Sequence, residues 1–444
     1  MRVLMVSHRF PPDAVAGVER YTESLAAELV AAGDRVTVAT RRPGPGGVRT
    51  ERETHPAGFD VLRFVGGSVD RSRPLHLADA LDEEFARALA DRSPEVVHVN
   101  HLIDLSPRFV SLARAEGAAV VVTLHDFWFA CPRITLQRPD GSVCAGPEGG
   151  RACARHCFGD SGGDLSRWGL RSMYLRRVLE SADLVLTPSP HVADWFREQG
   201  VAGVRAVPNG IAPPDWRPPT APNPPARGRL TLAILGAVVP HKGHHIALEG
   251  IAAAGLPAVD LFVHGPVGDP EYVRRLRERA AEIAGLDLRL CGPYDPGDLD
   301  LLLEDVDALL APSVWPETFC LVTREALVRG VPVLTTRLGA LPDAVEEGVN
   351  GFLFDHDHPV ELGRHLKRVW TEPALLERLR EGARSTAVTL TSDHAVAIRE
   401  AYAAARSEAG AHRVSPSAAR AELEVLESLL VDFGLGDPPA REVA

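Results

Sequence analysis

The sequence predicts an α/β chain of two doubly wound parallel-sheet domains, and three observations carry that prediction. Short, predominantly apolar runs recur along the chain at residues 3–6, 96–99 and 184–187, and again at 230–235, 259–264 and 308–311. Runs of this length suit strands buried on both faces, as in a parallel sheet covered by helices. Between them lie stretches with apolar residues at three-to-four spacing; in residues 19–32, Leu25, Leu29 and Val30 keep one face and Gly33 follows as a C-terminal cap. Finally, eight prolines fall within residues 208–225, which no compact sheet domain carries internally, so the alternation is divided in two.

Taken in order, the first domain reads as strand 3–6, helix 19–32, strand 36–39, helix 79–90, strand 96–99, helix 108–116, strand 120–124 and strand 184–187. After the proline-rich linker, the second reads as strand 230–235, helix 245–254, strand 259–264, helix 270–284, then strands 288–291, 308–311 and 331–335. Two doubly wound domains joined by a hinge are expected to face one another across a cleft at the carboxyl ends of their strands, where such sheets bind ligands. Past Gly410, Leu423, Leu426, Leu430 and Phe433 repeat at helical spacing, which fits a terminal helix packed on its own domain or a homodimer contact.

Composition narrows the function. The 444 residues are 45% apolar and 24% charged, ordinary for a soluble globular protein. The 48 Lys and Arg against 60 Asp and Glu give a net charge of −12, which excludes nucleic acid as the design partner and leaves any phosphate site local. No run approaches the ~20 apolar residues of a membrane span, and residues 1–10 lack the apolar core and cleavage site of a secretory signal. A cytoplasmic protein is expected, with peripheral membrane contact left open. Only Lys242 and Lys367 are lysines, so each is a marked choice in an arginine-rich chain.

The chemistry-bearing segment runs from Pro312 to Leu327. Two carboxylates, Glu317 and Glu325, stand eight positions apart around a predicted helix start at Phe319, which puts Glu325 roughly 9 Å along the axis, about the reach of a diphosphate. A helix N-terminus offers free amides and positive dipole to an anion, so Thr318, Phe319, Cys320, Leu321 and Val322 are candidates for holding phosphates between the two carboxylates. Carboxylates suit sugar and ribose hydroxyls because they accept several hydrogen bonds.

This segment resembles the Glu-x7-Glu signature of retaining nucleotide-sugar glycosyltransferases with the GT-B fold of two Rossmann-like domains, glycosyltransferase family 4 (group 1), and the similarity covers about residues 1–405. The resemblance implies that Glu317 binds the donor sugar and Glu325 the ribose. Gly236 to Gly243 is similar to the family's Gly-Arg-x4-Lys-Gly loop, with Lys242 placed to stabilise the departing diphosphate and Ala237 standing where the family has arginine. Cys320 replaces a glycine usual in the family. Gly17, before the first helix, resembles the second glycine of a Gly-Gly-x-Glu loop and is a candidate donor contact. His125, at the end of strand 120–124, resembles the histidine near the transferring sugar, and Asp126 is placed to orient its loop; His98 and Asn100 are further acceptor-side candidates. Cys291 resembles the strand-end position whose backbone meets the nucleobase, and Gly339 lies in a loop resembling another glycine-rich family element.

The resemblance implies residues 1–210 as an acceptor-binding domain to which helices near 391–408 return, 211–228 as linker, 229–390 as the nucleotide-sugar domain and 411–444 as an added helical tail. It further implies a retaining transfer from a nucleoside-diphosphate sugar to a hydroxyl acceptor, whether natural product, polysaccharide or lipid-linked precursor, with no metal required for chemistry. A nucleotide-sugar 2-epimerase and a catalytically silent scaffold are the alternatives. Separately, Cys131, Cys144, Cys153 and Cys157 fall within 27 positions, a grouping that in a reducing compartment points to a structural Zn2+ or iron-sulfur cluster before disulfides.

Overall fold

The computed structural model describes residues 1–69, 75–159, 165–214, 228–411, 424–425 and 427–429. It divides into two units, Met1–Gly210 with Thr391–Ala444, and Ile211–Leu390. The first contains β1 (Arg2–Ser7), α1 (Gly17–Ala31), β2 (Arg35–Arg42), β3 (Arg49–Thr54), β4 (Asp60–Val65), α2 (Asp79–Arg92), β5 (Val96–Val99), α3 (Phe109–Ala115), β6 (Ala119–Thr123), α4 (Leu165–Glu180), β7 (Leu184–Thr187), α5 (Pro190–Glu198) and β8 (Arg205–Ala206). Its sheet runs β3-β4-β2-β1-β5-β6-β7-β8, and β3 alone is antiparallel to its neighbour. The apolar strands are buried throughout, as in β5, while β3 is polar and mostly half-buried or exposed. Charge on an edge strand protects it from pairing with another chain; here Glu53 of β3 also receives a 2.7 Å ion pair from the buried Arg63 of β4.

The second unit contains β9 (Leu230–Leu235), α6 (His244–Ala254), β10 (Val259–His264), α7 (Pro270–Ala281), β11 (Leu286–Gly292), α8 (Leu299–Leu303), β12 (Ala308–Ala311), α9 (Leu321–Val328), β13 (Val333–Thr336), β14 (Gly351–Phe354), α10 (Pro359–Thr371) and α11 (Pro373–Ser385). Its parallel sheet runs β11-β10-β9-β12-β13-β14. Successive β9 side chains enter opposite cores: Leu230, Leu232 and Ile234 pack with α6, α7, α10 and α11, while Ala233 and Leu235 pack with α8 and α9. Each such fully buried Leu or Ile contributes about 1.5–3 kcal/mol.

The chain then returns to the first unit through α12 (Thr391–Ala411), whose Ile398 and Tyr402 are buried in the core formed by Val3, Met5, Tyr21, Leu25 and Val121. Both sheets reverse their strand order between two central neighbours, β1 and β5 in the first unit and β9 and β12 in the second. Ligands bind outside the carboxyl ends of strands at such points.

Element boundaries differ from the sequence expectation in several places. The helix expected at 108–116 is shorter, the strand expected at 331–335 is β13 at Val333–Thr336, and the helix expected to start at Phe319 is α9, which starts at Leu321. Residues 215–227 of the linker and Leu423, Leu426, Leu430 and Phe433 lie outside the described residues. In the tail, Glu427 accepts hydrogen bonds from Arg108 Nε at 2.9 Å and Tyr174 Oη at 2.8 Å, tying this segment to its own unit. Among the described residues no helix is long and apolar enough to cross a membrane.

Candidate functional site

In the second unit the loops after β9 and β12 are built together. The backbone turns through Pro240–Lys242 and reaches Gly243, where φ is +72° and a Cβ would stand 1.7 Å from the Pro312 carbonyl oxygen. Glycine is therefore required there by a close approach of backbone as well as by conformation. The Val314 N–H donates to the His241 carbonyl at 2.9 Å, fastening the β12 loop to the β9 loop. Beneath, Thr335 and Thr336 of β13 donate their hydroxyls to the Ala311 and Ser313 carbonyls at 2.7 Å.

Three donors converge on one oxygen of Glu317: Lys242 Nζ at 2.7 Å, Ser313 Oγ at 2.7 Å and Trp315 Nε1 at 2.9 Å, all to Oε1. Among the described residues this leaves Oε2 to accept from a ligand hydroxyl. Burial disfavours charge on both Lys242 and Glu317, but each holds the other ionised: the lysine is raised above its ordinary range and the carboxyl lowered below its own. The ammonium also sits 5.6 Å from the centre of the Trp315 ring. An ammonium has three donors and Glu317 takes one of them, so the cation is oriented yet keeps capacity for an anion.

Glu317 is also fixed through its backbone. Ala340 N–H donates to its carbonyl at 2.7 Å, and a Cβ on Gly339, where φ is +60°, would lie 2.3 Å from that oxygen. Gly339, in the glycine-rich loop singled out from the sequence, thus forms the floor beneath the carboxylate. Gly236 has φ of +125° and no described atom within 4 Å of where its Cβ would be, so that side of the loop is open, while its N–H donates to the His264 carbonyl at 2.8 Å.

The segment after Glu317 differs from expectation in one physical respect. Thr318 and Phe319 are buried, and Cys320 adopts a left-handed conformation with φ 60° and ψ 80°, so regular helix begins only at Leu321, followed by Val322. Glu325 consequently lies about 6 Å along the axis from the first helical residue, rather than 9 Å. The glycine-favouring geometry at Cys320 also gives the physical reason for a glycine at this position. Burial pushes the Cys320 thiol up to about 12, with Glu317 adding to the shift while Lys242 and Arg324 oppose it. Arg324 is folded back, its guanidinium 3.8 Å from the Phe319 ring centre and donating to the Phe319 carbonyl. Cys291, near the end of β11, is exposed and its sulfur donates to the Arg289 carbonyl at 3.5 Å.

In the first unit, polar side chains gather at the carboxyl ends of β1, β5 and β6. His8 approaches Glu19 of α1 at 3.5 Å and packs on His101, ring centres 4.5 Å apart. His101 Nε2 donates to Asp126 at 2.8 Å while its Nδ1 accepts from the Ile103 N–H at 3.0 Å, which fixes the tautomer. Asp126 also accepts from the Trp128 N–H at 2.8 Å, so it does orient the loop. Burial lowers His125 to about 3, and His101 reinforces the shift, so this imidazole is neutral. Its ring lies 4.3 Å from Tyr21, whose hydroxyl donates to His394 Nε2 at 3.0 Å; His394 Nδ1 donates to the Pro208 carbonyl at 2.7 Å.

His98 does not serve as expected. It is fully buried between Thr123 at 2.7 Å and Tyr402 at 2.8 Å and is structural. Asn100 donates through Nδ2 to Thr22 at 3.0 Å, while its Oδ1 is buried with no partner among the described residues. Gly17 opens α1 with ordinary φ and no described atom within 4 Å of a Cβ position, so nothing among the described residues demands glycine there. Sequence reasoning missed Ser313, Trp315, His8, His101 and Tyr21. Ser313 and Trp315 precede Glu317 by four and two positions, close enough for a donor search around the carboxylate to have found them.

None of the four clustered cysteines is in a disulfide; Cys131, Cys144 and Cys153 are buried and Cys157 half-buried.

Comparison with known proteins agrees across the chain. Residues 16–210 match the glycosyl transferase 4-like domain and residues 221–386 match the glycosyl transferases group 1 family. The chain is 28% identical over 424 residues to a glycogen synthase of Mycobacterium tuberculosis, covering 91% of this chain and 95% of that protein. Among solved structures it is similar to sucrose-phosphate synthase from Thermosynechococcus elongatus, with TM-score 0.67 and 19% identity over 90% of this chain and 98% of the other. It is also similar to HepE of Anabaena in complex with UDP and glucose, with TM-score 0.65 and 17% identity over 91% and 99%.

Proposed function

This chain belongs to the group 1 glycosyltransferases and has their two-domain GT-B fold, and from that premise we propose that it moves a sugar from a nucleoside-diphosphate sugar to a hydroxyl acceptor with retention at the anomeric carbon. The bond from the anomeric carbon to the diphosphate oxygen breaks, the bond to the acceptor oxygen forms on the same face, and the acceptor proton passes to the departing diphosphate. Metal ions are not assigned a part in that chemistry.

The observation that carries the proposal is the convergence of Lys242, Ser313 and Trp315 on one oxygen of Glu317. A carboxylate so held presents a fixed acceptor to a sugar hydroxyl, while the lysine beside it meets the negative charge that grows on the leaving group. Glu325, in the second turn of α9, is assigned to the ribose, and the free amides at the start of that helix to phosphate oxygens. In the first unit the neutral His125 is assigned to a substrate hydroxyl, steadied by Tyr21 and the His101–Asp126 pair. The relatedness to a glycogen synthase and the likeness to HepE holding UDP and glucose support a hexose donor.

Water substitutes for the unidentified acceptor in the test. The chain is incubated with UDP-, ADP-, GDP- and dTDP-linked α-hexoses, and the free sugar is followed by proton NMR before mutarotation. Release of the α-anomer first, from one nucleotide series, is expected. First release of the β-anomer would contradict retention, and no release from any donor would contradict the assignment of a donor site.

A further inference from the structure

Residues 124–147, between β6 and the short helix at Glu148–Gly150, contain no helix and no strand; one isolated bridge, Gln137 to Val143, is their only ladder contact among the described residues. A stretch of this length without regular structure inside a compact domain needs some other source of order. Phe127, Trp128, Phe129 and Leu136 bury the first half of the segment, but of residues 137–147 only Cys144, Gly146 and Pro147 are buried, and beyond them Cys153, Ala154 and Trp168 form a small cluster against which Phe158 packs. Small modules with little apolar burial are held by disulfides or a metal.

Four thiols converge at this place. Cys153 and Cys157 lie on a single π-helical stretch, Cys153–Phe158, whose wide turn carries residues four apart on one side. Cys131 begins a tight turn in which Ile134 and Leu136 take left-handed φ of 73° and 51°, and Cys144 closes the small hairpin that follows. All six pairings among the four sulfurs are close enough to interact electrostatically, yet no disulfide joins them. The Trp168 indole Nε1–H, in the cluster with Cys153, is buried with no acceptor among the described residues.

The charge beside them has the matching sign. Arg171, 2% exposed, donates to the Trp128 carbonyl at 2.5 Å and lies near Cys131 and Cys153. Four thiolates around a divalent ion carry a net charge of −2 that a nearby guanidinium complements.

We propose that Cys131, Cys144, Cys153 and Cys157 hold a structural metal centre of four thiolates, either one zinc ion or an iron-sulfur cluster, that orders the excursion between β6 and α4. Zinc would gather the sulfurs to roughly 3.8 Å from one another, from Zn–S bonds of about 2.3 Å. Among the described residues the group of three ligand side chains already within 4.8 Å is elsewhere, at Asp355, Asp357 and His358. The metal therefore draws the sulfurs inward, which the irregular backbone of 124–147 can follow. The first ligand is anchored close to the strand end that carries His125, since the Cys131 N–H donates to the Phe127 carbonyl at 2.6 Å.

The test is elemental analysis of full-length protein purified without chelators, with thiol titration of the same sample. About one zinc per chain, released as a mercurial reagent titrates the thiols, supports a zinc centre. Iron with matching acid-labile sulfide and visible absorption supports the cluster form. Cys144→Ser and Cys157→Ser should each lower metal content several-fold, while Cys291→Ser should leave it unchanged. Metal below about 0.2 per chain, with all thiols alkylating rapidly in the native protein, would overturn the proposal, as would an intact mass showing disulfides among the four.

Discussion

Replacing Glu317 by Gln and Lys242 by Met, singly and together, tests the heart of the donor-site account. The ion pair is 2.7 Å long, with side chains 5% and 29% exposed. At an effective dielectric of 20 the bare Coulomb attraction at this distance is about 6 kcal/mol, an upper bound before desolvation. Removing one partner of a buried pair typically costs about 3–5 kcal/mol, because a charge is left uncompensated. The partial exposure of Lys242 reduces this, so each single variant is expected to lose about 2–3 kcal/mol of unfolding free energy. The double variant removes both charges at once, and the cycle should show a coupling of about 2 kcal/mol. Gln retains an oxygen for Ser313 and Trp315, so the measured coupling belongs to the lysine. Urea unfolding of the four proteins provides the measurement. A coupling below about 0.5 kcal/mol would refute the idea that this pair is a preorganised charged unit.

Three other outcomes follow from the same geometry. Cys320→Gly should raise stability by about 1 kcal/mol, read as a higher melting temperature, because glycine tolerates the observed φ of 60° that a side chain resists; no change or a loss would show that the thiol's contacts outweigh the backbone strain. Glu325→Ala should weaken nucleoside-diphosphate binding about tenfold by calorimetry, whereas Glu317→Ala should abolish transfer and leave that affinity within a few-fold; equal losses would show the two ends misassigned. Burial lowers His244 and His394 to about 4, so between pH 6.5 and 4 the unfolded chain binds protons that the native chain does not, and stability is lost as pH falls through that window. Each contributes a loss of about 2 kcal/mol at pH 5 relative to neutrality, and urea midpoints that match at the two pH values would contradict it.

Much of the architecture is legible because burial on both faces removes polar alternation. The strands at 96–99, 184–187, 230–235, 259–264 and 308–311 coincide with β5, β7, β9, β10 and β12. The helices α10 and α11, absent from the sequence expectation, also keep helical spacing, through Leu362, Leu366 and Val369 and then Leu375, Leu376 and Leu379. The strand β3 is not legible this way, since Arg49 to Thr54 carries no apolar run and is held by its pairing with β4. Within the site, Glu317 and Lys242 are visible as residue types at a spacing. The gathering of Ser313 and Trp315 on the same oxygen, and the use of Gly339 as a floor, depend on how loops after different strands meet. The delayed start of α9 has a single local cause, the left-handed Cys320, which nothing in the apolar period reveals. His98 shows the converse: a histidine at a strand end that the fold turns inward to bridge Thr123 and Tyr402.

The central claim, that the Lys242–Glu317 site accepts a nucleoside-diphosphate sugar, is tested most directly by thermal unfolding against UDP, GDP, ADP and dTDP, each at a large excess over its dissociation constant. A ligand at 100 times that constant adds roughly 2.7 kcal/mol to the native state, which for domains of this size moves the midpoint by about 2–4 °C per kcal/mol. The account predicts that one nucleotide raises the midpoint by several degrees and that Lys242→Met diminishes that rise. No rise with any of the four, in protein shown to be folded, would contradict it.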